Sequence, residues 1–131
     1  MPATCLLDTG ILIDALNGKR GRRELLDGLL QDGAELACCP INITEVYAGL
    51  RPGEEAKTER LLRSLRFYPV TWDIARKAGE LLGAWRQRNR TLSLPDTTIA
   101  AVALTNSLTL VTGNAKDFPM PELRLYPLSQ A

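Results

Sequence analysis

Thr4-Cys5-Leu6-Leu7-Asp8 is a short apolar run closed by an acid, with Thr9-Gly10 directly behind it. A run this short, apolar throughout and ended by turn residues, describes a strand buried on both faces. Strands of that kind belong to parallel sheets covered by helices. Asp8 then emerges at the carboxyl edge of the sheet.

Outward from this strand the chain alternates. Ile11–Leu16 predicts a short helix stopped at Asn17-Gly18, and Arg22–Gln31 sets Leu25, Leu26, Leu29 and Leu30 at helical spacing. Glu35–Cys39 reads as a second apolar strand halted by Pro40. Asn42–Leu50 and Glu54–Leu65 read as helices separated by Arg51-Pro52-Gly53, and Phe67–Val70 as a short strand. Asp73–Arg90 is amphipathic, with Ile74, Ala78, Leu81, Leu82 and Trp85 in one stripe. Ser93–Asn106 is apolar on nearly every side and predicts a buried central helix. Thr109–Thr112 closes the pattern as a strand, with Leu123–Tyr126 as an edge strand. The result is an α/β fold with a central, mainly parallel β-sheet flanked by helices. In such sheets, sites form beyond the carboxyl ends of the strands, where strand order reverses.

The chain has 131 residues and 14.4 kDa, which fits one domain over 1–131, and contains no histidine. Ser-His-Asp and Cys-His hydrolysis therefore lose their usual base, and histidine-bearing zinc sites are excluded. Chemistry falls to carboxylates, the natural oxygen ligands of magnesium or manganese. With 45% hydrophobic and 24% charged residues the composition is that of a globular protein. No apolar run reaches membrane-spanning length, and the amino terminus has no basic segment leading an apolar core, so no secretory signal is expected. Cys5, Cys38 and Cys39, an odd set with two adjacent members, read as small core side chains in a reducing, cytoplasmic setting.

Sixteen basic residues balance fifteen acidic ones to a net charge of +1, which favours no partner by itself. Their placement is uneven. Lys19, Arg20, Arg22 and Arg23 cluster, Arg86, Arg88 and Arg90 alternate, and the set is rich in arginine, the side chain suited to bidentate phosphate contact.

Asp8 closes one strand, while Asn114 and Asp117 follow the strand Thr109–Thr112; if these strands are neighbours, the groups converge. Glu45 and Asp96 lie near helix starts. Asn42-Ile-Thr-Glu45 has capping-box spacing, with Asn42 as cap and Glu45 reaching back, and Ser93-Leu-Pro-Asp96 has the same form. Singly, each acid is explained as a cap. Jointly, acids at four element ends are costly to assemble: two unit charges 4 Å apart repel by about 4 kcal/mol at an effective dielectric near 20. A divalent cation turns that repulsion into attraction.

Four segments carry a family resemblance: Leu6-Leu7-Asp8-Thr9, Ile43-Thr44-Glu45-Val46-Tyr47-Ala48-Gly49, Leu94-Pro95-Asp96-Thr97-Thr98-Ile99-Ala100-Ala101, and Leu110-Val111-Thr112-Gly113-Asn114-Ala115-Lys116-Asp117-Phe118. In order and spacing, the chain resembles the PIN-domain nucleases, and within them the VapC-like toxins of toxin–antitoxin pairs. That resemblance implies a three-layer α/β/α fold and a magnesium-dependent endoribonuclease, with manganese substituting. It also implies an RNA substrate, a homodimer and a cognate protein antitoxin. Asp8, Glu45 and Asp96 match the three core acidic positions: Asp8 and Asp96 as metal ligands, Glu45 as a ligand or a base for the attacking water. Asp117 is the fourth acid, supplying charge through a water, and Thr9, Thr112 and Asn114 stand behind the ligands. Two departures matter: Gly10 stands where the family often has asparagine or serine, and the fourth acidic position holds the amide Asn114.

The chemistry this implies is metal-assisted hydrolysis of an RNA phosphodiester, which needs neither histidine nor the RNA 2′-hydroxyl. Lys19, Arg20, Arg22, Arg23, Arg86, Arg88 and Arg90 are the candidate contacts to the remaining phosphates. Two rivals bear on the same residues. A PIN-like module that binds RNA or protein without cutting would make Gly10 and Asn114 signs of a lost site. An aspartic peptidase would use Asp8-Thr9-Gly10 as a catalytic loop, and requires a β-rich fold.

Overall fold

The computed structural model describes residues 3–128. Its element order is β1 (Thr4–Leu7), α1 (Thr9–Leu16), α2 (Arg22–Gln31), β2 (Glu35–Cys38), α3 (Pro40–Ala48), α4 (Glu55–Ser64), β3 (Arg66–Phe67), α5 (Trp72–Gln87), α6 (Leu94–Asn106), β4 (Thr109–Val111), a 3₁₀ turn (Ala115–Asp117) and β5 (Arg124–Leu125). The five strands form one sheet in the order β3-β2-β1-β4-β5, with every pairing parallel. The β-rich fold an Asp-Thr-Gly peptidase needs is thus ruled out.

Strand pleating sorts the core into two layers. Leu6, Ala37 and Leu110 point to the α5–α6 side, where Ile74, Ala78 and Ile99–Ala103 meet them. Their neighbours Cys5, Leu7, Leu36, Cys38 and Val111 point to the other side, against Ile11, Leu12, Leu26, Leu29, Val46 and Leu62 of the first four helices. Both faces are covered, which is why the strands lack polar alternation. Helix α6 is buried from Thr97 through Ala103, as its all-round apolar sequence predicts.

Connections decide where the site falls. Helices α1 to α4 carry the chain from β1 to β2 and on to β3 along one face, and α5 and α6 return it across the other face to β4. Right-handed crossovers require opposite faces for opposite directions of travel. Strand order therefore reverses at the β1–β4 pair, and a crevice opens beyond their carboxyl ends.

Several boundaries differ from the sequence reading for identifiable reasons. Helix α1 starts at Thr9 rather than Ile11, because Asp8 is its N-cap, and Oδ1 accepts from the Thr9 N–H at 2.9 Å. Helix α3 starts at Pro40 rather than Asn42, since proline is pre-set for a first helical position. Asn42 is therefore not the cap, and Glu45 does not reach back to it. β3 ends before Pro69, which has no N–H for the ladder. Helix α5 ends at Gln87, followed by Asn89 in the left-handed region at φ 60°. Cys5, Cys38 and Cys39 are free and buried, and burial pushes the Cys38 thiol up to about 11. Among the described residues no helix is long and apolar enough to cross a membrane.

Candidate active site

Asp8 is the hub. Its backbone N–H continues the sheet by donating to the Val111 carbonyl at 2.9 Å, which pins the residue between the two central strands. The residue is 7% exposed, and Oδ2 accepts from the Thr112 hydroxyl at 2.7 Å across the β1–β4 gap. Thr112 Oγ1 in turn accepts from the Asn114 N–H at 3.0 Å. That backbone donor orients the hydroxyl so that its single proton faces Asp8.

Glu45 is held by a second relay. The Cys39 N–H donates to Asn42 Oδ1 at 2.8 Å, Asn42 Nδ2 donates to Thr9 Oγ1 at 3.1 Å, and the Thr9 hydroxyl donates to Glu45 Oε1 at 2.6 Å. Asn42 is completely buried. Because a helix-start N–H claims its oxygen, the amide must present its NH₂ to Thr9, and the Thr9 proton must go to Glu45. Sequence reasoning gave Asn42 the wrong task. Pro40 was the available signal: a helix starting there puts Asn42 three residues past the cap.

Asp96 sits in the first turn of α6, where Ser93 is the N-cap and accepts from the Asp96 N–H at 3.1 Å. The capping reading of Ser93 therefore holds, while the Asp96 carboxylate is left half-buried among acids. Asp117 lies in the 3₁₀ turn after β4, half-buried, with Asn114 exposed just before it.

The electrostatics show that these groups feel one another. Burial raises the Asp8 carboxyl above its ordinary value; bonds from Thr112 and Thr9 oppose that rise, and the charges of Asp96 and Glu45 add to it. Burial likewise raises Asp96, against the Ser93 hydroxyl and with the charges of Asp117 and Glu45 adding to the rise. None of the four acids forms an ion pair among the described residues; the pairs present join Arg20–Asp14, Arg51–Glu54, Arg63–Glu59, Arg66–Glu35 and Arg76–Glu80. As the side chains stand, no group of three Asp, Glu, His or Cys among the described residues is close enough to enclose an ion. Coulombic coupling acts at longer range than coordination, so the two observations agree. Both Asp8 oxygens and Glu45 Oε1 keep a lone pair beyond the bond each accepts.

The basic residues separate by what they touch. Arg20 bonds Asp14 at 3.1 Å, and Arg23 Nη2 donates to the Ala15 and Leu16 carbonyls at the end of α1. Arg90 donates to the Lys116 carbonyl, beside Asp117, and Arg88 stacks on Trp85 at 4.8 Å. Lys19 and Arg86 are exposed. Arg22 lies elsewhere, against Gly113 in the loop between Thr112 and Asn114.

The chain matches the PIN domain family over residues 5–119. It is 37% identical over 117 residues to Ribonuclease VapC10 of Mycobacterium tuberculosis, covering 89% of this chain and 87% of that protein. It is also similar to a chain of the VapBC2 crystal structure from Rickettsia felis, bound to a DNA fragment from their promoter. That match has TM-score 0.83 and 25% identity over 96% of this chain and 99% of the other. A toxin-antitoxin complex from Klebsiella pneumoniae matches at TM-score 0.75 and 30% identity, over 91% and 94%.

Proposed function

Because the chain belongs to the PIN domain family, in its VapC branch, we propose that it is a divalent-metal-dependent endoribonuclease, the toxin of a toxin–antitoxin pair. The observation that carries this reading is the gathering of Asp8, Glu45, Asp96 and Asp117 at one sheet edge, none of them in an ion pair among the described residues. An oxygen-only donor set that holds its own charges together at a cost fits a hard cation. Asp8, Asp96 and Glu45 would hold magnesium, or manganese in its place, with Asp117 at the margin. When bound, the ion supplies positive charge to the scissile phosphate and acidifies water.

The chain's own side chains do the rest. The Thr9 hydroxyl donates to Oε1 of Glu45, which leaves Oε2 to accept a proton from the attacking water. Thr112 and the Thr9 N–H hold both oxygens of Asp8 in one orientation. In-line attack then leaves a 3′-hydroxyl and a 5′-phosphate. The acids do not line the cleft of about 750 Å³ described below but stand at the sheet edge, where an extended polymer can pass.

The partner part of the proposal rests on a different surface. A cleft of about 750 Å³ lies between α2, α4 and β2, lined by Leu16, Leu26, Leu30, Leu36, Leu61 and Leu65 and rimmed by Arg23, Lys57 and Arg66. Its apolar floor suits the apolar face of an amphipathic antitoxin segment, and its rim carries both signs of charge, with Asp27 and Glu35 beside the three cations. Homodimerisation and a cytoplasmic site of action complete the reading; the exposed Trp72 and Leu94 are apolar surface for a second copy to cover.

Incubation of the purified chain with RNA tests the activity. Cleavage should proceed in magnesium, stop in EDTA, and be lost in Asp8→Ala. Undiminished cleavage by Asp8→Ala would remove the assignment. Magnesium binding without cleavage would instead favour a module that binds and does not cut.

A further inference from the structure

Arg22 is the cation whose position the fold itself leaves unexplained. It occupies the first position of α2, behind Gly21, which has φ 67° and offers no side-chain cap. A positive charge there faces the positive end of the helix dipole, an unfavourable placement. Its Nε is buried and meets no hydrogen-bond partner among the described residues. Leaving a charged donor buried and unmatched is costly unless something else engages the group.

Direction supplies the rest. Nη2 of Arg22 lies 3.2 Å from the point where a Cβ on Gly113 would stand. Gly113 follows Thr112, the residue whose hydroxyl bonds Asp8, and precedes Asn114, whose N–H orients that hydroxyl. The guanidinium therefore reaches the loop that carries Thr112 and Asn114, yet pairs with no acid among the described residues. Arg20 and Arg23, its neighbours in sequence, are both spent on the end of α1. A side chain at Gly113 would crowd the Arg22 guanidinium, which would have to give way slightly.

We propose that Arg22 is a phosphate-binding residue of this site, engaging an RNA backbone phosphate adjoining the one cleaved. This rests on the ribonuclease reading above and adds one residue to it. A guanidinium that reaches the Gly113 loop and pairs with no acid among the described residues keeps donors for a phosphate. It also offsets the repulsion that an acidic rim presents to a polyanion.

The test uses the full chain and a fluorescently labelled, random-sequence single-stranded RNA pool. Binding is followed by anisotropy in EDTA across a salt series, and cleavage is followed separately in magnesium. Arg22→Ala should weaken binding about tenfold, the scale of one charge-assisted contact. It should also lower the salt slope by about one counterion and reduce cleavage. Arg22→Lys should recover part of the loss. Gly113→Ala keeps the charge but crowds the guanidinium, and should weaken binding in the same direction. Arg124→Ala removes an equal charge at β5, whose Arg124 is in register with Thr109 at the start of β4, and should leave binding unchanged. Circular dichroism of each variant separates unfolding from lost contact. If folded Arg22→Ala binds and cleaves as the wild type does, the Arg22 assignment falls while the ribonuclease reading stands. If the wild type neither binds nor cuts RNA, both fall.

Discussion

Replacing Asn42 by aspartate puts an oxygen, and in the ionised form a buried negative charge, where the amide donor stood, with almost no change in volume. In the native protein the Asn42 amide donates to Thr9 Oγ1 at 3.1 Å, and this obliges the Thr9 proton to point to Glu45 at 2.6 Å. With Asn42→Asp, an oxygen faces Thr9 where a donor stood, and the hydroxyl proton is drawn back toward it. The Cys39 N–H keeps its acceptor, so the start of α3 is preserved. Glu45 loses one charge-assisted hydrogen bond, about 1.5–3 kcal/mol. Felt wholly in the transition state, that loss slows cleavage by about ten- to a hundredfold. Asn42→Leu is the companion variant: it removes two hydrogen bonds and leaves the Cys39 N–H buried without a partner. A loss of about 2–4 kcal/mol follows, or a fall of roughly 10 °C in melting temperature at this chain length. Single-turnover RNA cleavage and thermal melts of both variants decide the matter. Folded Asn42→Asp that cleaves at the wild-type rate would refute the relay.

Two further predictions use the raised carboxyls. Folding raises the Asp96 pKa above its ordinary 3.8, chiefly by burial, so the protonated form suits the fold and its ionisation works against stability as pH rises. Asp96→Asn in metal-free buffer should therefore melt above the wild type near about pH 7, with the gain gone near about pH 3; equal melting curves across that range would contradict it. Thr112→Val removes a donor that lowers the Asp8 pKa, so Asp8 should hold its proton to higher pH. The acidic limb of the cleavage profile should move upward, with Thr112→Ser restoring it; an unmoved limb would deny Asp8 that dependence.

The sequence carried the layers more plainly than the site. Alternation of apolar runs and helical stripes is a direct consequence of a sheet covered on both faces, so β1, β2, β4 and the six helices were legible, and α6 was correctly read as buried. The ends of elements were harder, because local hydrogen bonds set them. Asp8 serves as a cap as well as a strand-end acid, which draws α1 two residues forward. Asn42 fits capping-box spacing with Glu45 as well as with Cys39, and only Pro40 favours the second register. The approach of Asp8 to Thr112, 104 residues away, followed from the order of the strands and not from any local pattern. The basic residues were least legible. A guanidinium committed to a carbonyl, such as Arg23, and one aimed at Gly113, such as Arg22, are neighbours with the same composition around them.

Anomalous diffraction from crystals soaked in manganese reaches the central proposal most directly. A peak at coordination distance from Asp8 and Asp96, with Glu45 turned toward it, is the expected result. A crystal that takes up manganese elsewhere, or takes up none with these carboxylates exposed to the soak, would contradict the assignment of this edge as a metal site.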